Sequence, residues 1–147
     1  MITIDLRLLE EIRDHGREAY PEECCGALLG TGRDGPALVT RVERMRNSRG
    51  EERRRRYTID PLEYVRIERQ ADEEGIEVLG FYHSHPDHPA RPSEYDRERA
   101  FPFFHYVVLG VAAGQPGDVG SFVLSEDRGV FEREELSIEA PEGVTHA

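Results

Sequence analysis

Residues 76–86 read Ile-Glu-Val-Leu-Gly-Phe-Tyr-His-Ser-His-Pro, and this run constrains the chain more than any other. Its β-branched and aromatic side chains predict a strand over residues 76–85, closed by Pro86. Side chains two apart on a strand share a face, so His83 and His85 present two imidazoles side by side. That is a metal-ligand geometry. Packing or simple surface exposure would also account for a His-x-His pair taken alone.

Around this strand the patterning predicts an α/β (α+β) fold, a mixed sheet with helices against it. A short strand at residues 2–4 leads into a helix over 5–19, with Leu9, Ile12 and Ala19 on one side and Pro21 as its stop. An apolar run at 25–29, a Gly-rich turn and a strand at 37–44 follow. After an arginine-rich connection come a strand near 56–59 and a helix from Pro61 to about Glu74, with Asp60 as its cap. Glu63 would complete a capping box there, and Gly75 lies past the helix end. Beyond the proline-rich loop at 86–92, Ser93 opens a short helix to about Ala100. Strands are expected at 104–111, 120–124 and 130–136. A single domain over 1–136 with a tail at 137–147 accounts for the chain.

A chain of 147 residues can hold one core without disulfides or structural metal, so a bound metal would belong to chemistry. Cys24 and Cys25 are adjacent, as suits buried small hydrophobes rather than a disulfide framework or a zinc knuckle. The net charge of −11 argues against general binding to nucleic acid or an anionic membrane. With no run approaching the ~20 apolar residues of a membrane span and an acidic N-terminal stretch, a cytoplasmic protein is expected. All 19 basic residues are arginine, and residues 41–56 carry eight of them against three Glu. Arg53, Arg54, Arg55 and Arg56, with Arg41 and Arg44, read either as a solvated segment balanced by Glu51 and Glu52 or as a docking patch for an acidic partner. Exposed strands around 53–59 would permit a homodimer.

Asp96 lies eleven residues beyond His85, on the first turn of the helix opened by Ser93. Two imidazoles and one carboxylate leave an open fourth position, the arrangement of a catalytic zinc site. Ser93 and Asp96 equally match a helix-capping pattern, and the two roles are compatible. His88 reads as solvent-exposed, and His15, His105 and His146 lack a companion at useful spacing. Glu22 and Glu23 are available as a general base beside the Cys25 run, although local sequence alone makes them exposed acids.

The segments Glu23-Cys24-Cys25-Gly26-Ala27-Leu28-Leu29-Gly30, His83-Ser84-His85-Pro86 and Pro92-Ser93-Glu94-Tyr95-Asp96 together resemble the JAMM (MPN-plus) metalloprotease family. Asn47 and residues 57–61 resemble its middle segment, so the likeness covers about residues 1–125. The resemblance implies a partly curled sheet of the JAMM/MPN, cytidine-deaminase-like type. It implies one zinc per chain held by His83, His85 and Asp96 with a water as fourth ligand, and Glu23 as general base and acid. Ser93 would hydrogen-bond the developing oxyanion, while Cys25 and Gly26 would pack beneath the site. The implied substrate is a small ubiquitin-like or sulfur-carrier β-grasp protein, cleaved after its C-terminal Gly-Gly to release a protein, a peptide or cysteine. Two alternatives are a RadC-like DNA-repair-associated relative and a non-catalytic scaffold. Against the first stand the Glu-x-Cys-Gly block and the negative charge, and against the second the retention of all five signature positions.

Overall fold

The computed structural model describes residues 1–50, 52–53, 56–125 and 129–140. Its elements are β1 (Ile2–Asp5), α1 (Leu6–Ala19), β2 (Cys25–Thr31), β3 (Ala37–Met45), α2 (Pro61–Glu73), β4 (Glu77–Pro86), α3 (Glu94–Arg99), β5 (His105–Ala112), β6 (Gln115–Leu124), β7 (Phe131–Glu134) and β8 (Leu136–Glu139). One mixed sheet takes the order β7-β6-β5-β4-β2-β3-β1-β8. The pairs β4–β5, β1–β3 and β1–β8 are parallel.

Each face of the sheet is covered by one of the longer helices. Leu9 and Ile12 of α1 pack with Ile2, Leu28, Leu79, Tyr82 and Leu109 on one side. Ile67 and Ala71 of α2 pack with Cys25, Leu29, Val78, Phe81 and Tyr106 on the other. A β-bulge decides which face the histidines take. Leu28 stands opposite Gly80 but Leu29 opposite Val78, so Leu79 is an extra residue in β4. Leu79 therefore packs on the α1 side, whereas Phe81, two residues on, packs on the α2 side. Beyond the bulge alternation resumes, with Tyr82 buried on the α1 side and His83 against Tyr57, which packs on the α2 side.

The helix starts follow from local chemistry. Asp5 caps α1 by accepting from the Arg7 amide at 2.7 Å, and Asp60 caps α2 by accepting from the Leu62 amide at 3.0 Å. The capping box expected from Glu63 does not form. Its carboxylate accepts instead from the amide of Arg46 at 2.9 Å, tying α2 to the end of β3.

Three further expectations are corrected. Residues 56–59 form no strand, only an isolated bridge between Asn47 and Ile59, and residues 54 and 55 of the expected edge lie outside the described residues. The expected strand over 130–136 is two strands, broken at Glu135. Residues 137–139 are not tail but part of β8, which adds in parallel to β1 because Leu136 can pack against the core. Of the expected tail at 137–147, residues 141–147 lie outside the described residues. Among the described residues no helix is long and apolar enough to cross a membrane.

Gly26 shows how tightly β2 meets β4. A Cβ there would stand 2.1 Å from the ring of Tyr82, whose side chain is fully buried. The Tyr82 hydroxyl is in addition held by His15 Nδ1 at 2.6 Å, so the ring has little freedom to retreat. Gly26→Ala is expected to destabilise the protein by about 1–3 kcal/mol or more through overpacking, measurable as a lowered denaturation midpoint at unchanged m-value. An unchanged midpoint would mean that the ring can move.

Candidate metal centre

Strand β4 delivers His83 and His85 from one face, and α3 delivers Asp96 from the far side of the proline-rich loop. Ser93 and Asp96 form the expected capping box: the Asp96 amide donates to Ser93 Oγ at 3.1 Å, and the Ser93 amide donates to Asp96 Oδ2 at 2.8 Å. That same Oδ2 lies 3.0 Å from His83 Nε2 and 3.1 Å from His85 Nε2, while the two Nε2 atoms are 3.2 Å apart. The cap thus fixes the carboxylate that closes the triangle, and the capping and ligand readings of Asp96 coexist.

This triangle calls for a positive charge. His85 Nδ1 stands 3.1 Å from the carbonyl of Pro89, which can only accept, so Nδ1 carries the proton and a neutral His85 turns the lone pair of Nε2 inward. Burial holds His83 below its ordinary pKa against the pull of Asp96. Burial would raise the Asp96 carboxyl, but the two histidines outweigh it and hold the group well below the carboxylate range. Electron-rich atoms therefore meet at about 3 Å. Burial opposes protonation of His85 too, yet the Asp96 contact overcomes it and raises its pKa, so without a cation a proton answers the same demand. Tetrahedral ligands at about 2.0–2.1 Å from a metal stand roughly 3.3–3.4 Å apart, close to the spacings here. The donor set, two imidazoles and a carboxylate, fits a divalent cation with an open position.

Glu23 is carried by the segment just before β2. Hydrogen bonds in both directions between Cys24 and Ser84 dock this segment on β4, at 2.8 Å to Ser84 Oγ and 3.1 Å from the Ser84 amide. The residue between the histidines is therefore a staple. The Glu23 amide donates to the Arg53 carbonyl at 2.6 Å, and its own carbonyl accepts from Asn47 Nδ2 at 3.3 Å. Glu23 is 3% exposed, its Oε1 has no hydrogen-bond partner, and a carboxylate oxygen lies within 4.8 Å of both imidazoles. With the two imidazoles it forms a group that could itself hold a metal ion, so its carboxylate stands beside the triangle. Burial, with the charge of Asp96 and against that of His85, pushes its carboxyl up to about 8. Glu22 is exposed.

Ser93 is exposed and its hydroxyl, having accepted from Asp96, keeps a hydrogen to donate. His88 is exposed, as expected. His105 does have a companion: Glu134 lies 2.6 Å from its Nδ1 and also accepts from Ser121 at 2.7 Å, a distant structural cluster. His146 lies outside the described residues. Tyr57, noted only as part of a resembling segment, stacks on His83 with centroids 4.6 Å apart and holds that ring in place. No periodicity signals it, because residues 56–58 belong to no regular element.

Of the arginine segment, Arg41 pairs with Glu74 and Glu43, and Arg44 pairs with Glu18. Arg53 donates to the carbonyl of Arg49, and Arg56 pairs with Glu52. Arg54 and Arg55 lie outside the described residues. Next to the metal centre, Asp96 borders a cavity of about 660 Å³ walled by Tyr57, Tyr64, Phe81, Phe104 and Tyr106.

Cys24 and Cys25 are 3% and 0% exposed, and burial pushes the Cys24 thiol up to about 11 and that of Cys25 higher still. Both should resist iodoacetamide at neutral pH until the protein is unfolded, since little thiolate forms and access is closed. Rapid labelling of the folded chain, read by mass spectrometry, would contradict this.

Comparison with known proteins agrees with the geometry. The family described as prokaryotic homologs of the JAB domain matches residues 5–125. The Desampylase of Haloferax volcanii is 36% identical over 117 residues, covering 74% of this chain and 82% of that protein. A probable TtuB-protein conjugate cleaving protease of Thermus thermophilus is 32% identical over 123 residues, covering 84% of this chain and 76% of that protein. The structure described as "JAMM: A Metalloprotease-like Zinc Site in the Proteasome and Signalosome" shares the fold at a TM-score of 0.55 and 19% identity, over 95% of this chain and 98% of that one. With Glu23, His83, His85 and Asp96 gathered on one side of such a sheet, this chain belongs to the prokaryotic JAB-domain family, the compact branch of the JAMM/MPN hydrolases.

Proposed function

We propose that this chain is a zinc-dependent peptidase or isopeptidase acting in the cytoplasm after the C-terminal Gly-Gly of a small ubiquitin-like or sulfur-carrier β-grasp protein. The observation that carries this reading is the pairing of a His83–His85–Asp96 triangle with a buried Glu23, whose Oε1 has no partner and whose carboxylate lies within 4.8 Å of both imidazoles. The names of the Haloferax and Thermus relatives support the substrate class.

His83, His85 and Asp96 would hold the zinc, which when bound polarises a carbonyl and activates water. Glu23 takes the proton of the attacking water and returns it to the leaving amine, the two steps one carboxylate can serve. Ser93 donates its hydroxyl hydrogen to the oxygen that gains charge, an interaction strongest in the transition state. The extended tail of the carrier lies along the aromatic cavity beside Asp96. Docking of the carrier falls to the basic segment at residues 41–56, whose eight Arg outnumber its three Glu.

Metal analysis of the purified chain should find about one zinc per molecule, and incubation with a β-grasp protein extended past Gly-Gly should release the extension. A metal-free protein whose His83→Ala variant behaves like the parent would end this reading.

A further inference from the structure

Three guanidinium groups converge on one ring beside the metal centre. Arg99 lies 4.3 Å, Arg56 4.5 Å and Arg49 5.4 Å from the centroid of Tyr95, the residue preceding Asp96. Arg49 also donates to the Tyr95 hydroxyl at 2.8 Å. Glu52 accepts from both Arg49 and Arg56 at 3.0 Å. Glu52 thus serves two of the three cations, while Arg99 lines the cavity beside Asp96 and Glu98 with no carboxylate bonded to it among the described residues. Like charges so close repel, and a ligand of opposite sign relieves the repulsion.

The chemistry of arginine narrows what that ligand is. A guanidinium stacked on an aromatic face keeps its N–H edges in the plane, pointing away from the ring and ready for a two-point contact with a carboxylate. Arg99 and Tyr95 also line the cavity that reaches Asp96 and Tyr57, and Tyr57 in turn stacks on His83. A carboxylate held by the cage would therefore sit in the same space as a chain threaded past the metal centre.

We propose that Arg99, with Arg49 and Arg56 around Tyr95, is a carboxylate-binding subsite that recognises a negative charge on the substrate close to the bond to be cleaved. It rests on the peptidase reading above and adds a preference within it. Two parts of a substrate could bring the carboxylate: the free C-terminus of a short leaving group, or an acidic side chain in the carrier's tail.

Binding of three peptides to the zinc-loaded Glu23→Gln protein, followed by NMR titration, tests the subsite with cleavage suppressed. They are acetyl-Gly-Gly-Gly amide, its free-acid form, and acetyl-Asp-Gly-Gly-Gly amide. At least one charged peptide should bind about tenfold tighter than the neutral one, and which does so identifies the source. Arg99→Ala should erase the difference, and Arg99→Lys should restore little of it because an ammonium neither forks nor stacks as guanidinium does. Equal affinity of all three peptides, or a preference untouched in Arg99→Ala, overturns the subsite. A second assay uses carriers extended past Gly-Gly with the same charged and neutral groups. Arg99→Ala should raise KM for the charged substrate several-fold more than for the neutral one. Cleavage without charge preference would leave the peptidase reading standing and reject the subsite. Charge-selective binding without cleavage of any carrier would keep the subsite and reject the peptidase reading.

Discussion

Glu23→Gln is expected to lower turnover by about 10²–10⁴-fold while leaving about one zinc per chain, since this is the range a positioned acid–base group supplies. The substitution changes two things of unequal weight. It removes the capacity to hold a proton, which the proposed mechanism needs twice. It preserves size and hydrogen-bonding atoms in a pocket where Oε1 already has no partner, so little packing is lost. The position of the residue is secured by main-chain contacts to Arg53, Asn47 and the Cys24–Ser84 staple, none of which passes through the carboxylate. Loss of zinc with the activity would mean that Glu23 is itself a ligand, a role its place within 4.8 Å of both histidines makes worth testing.

Asp96→Ala is the complementary experiment. The carboxylate supplies the negative corner of the triangle and caps α3 through the same Oδ2. Zinc affinity should fall by more than the about 10–100-fold that loss of a supporting hydrogen bond costs, and cleavage should fall with it. Stability of the metal-free protein should change far less, by about 1 kcal/mol for the lost cap. In that form the carboxylate also ties a proton on His85, so Asp96→Ala should lower the His85 pKa toward its burial-dominated value, observable by NMR titration. Asp96→Asn separates the two duties: it can still accept from Ser93 but carries no charge. Retained zinc in Asp96→Asn would show that geometry matters more than charge at this corner.

Much of the fold follows from local signals. The strand ending in His83 and His85, the caps Asp5, Asp60 and Ser93, and Gly75 at φ +72° past α2 all depend on neighbours in sequence. Where pairing partners are remote, local reading fails. Ser137 and Ile138 resemble the start of a polar tail until β1 offers a parallel edge, and residues 56–59 resemble a strand until Asn47 takes their backbone groups. The cluster of His83, His85 and Asp96 is readable because spacing along β4 and the first turn of α3 sets all three. Glu23 is not, since nothing near it distinguishes it from Glu22. Only the fold buries one and exposes the other, and the family likeness anticipated that choice. The tyrosine at 57 and the cage around Tyr95 combine segments that no single pattern joins.

The unpaired Leu79 gives β4 a parity. One residue more or fewer between that bulge and His83 would turn both imidazoles toward α1 and bring Tyr82 and Ser84 to the metal side, with every side chain still present. Two residues more or fewer would restore the face while moving the pair by about 7 Å along the strand. Function here is therefore indexed by a count as much as by chemistry. Substitutions along β4 that keep side-chain size should accordingly disturb the site less than a single insertion between Leu79 and His83.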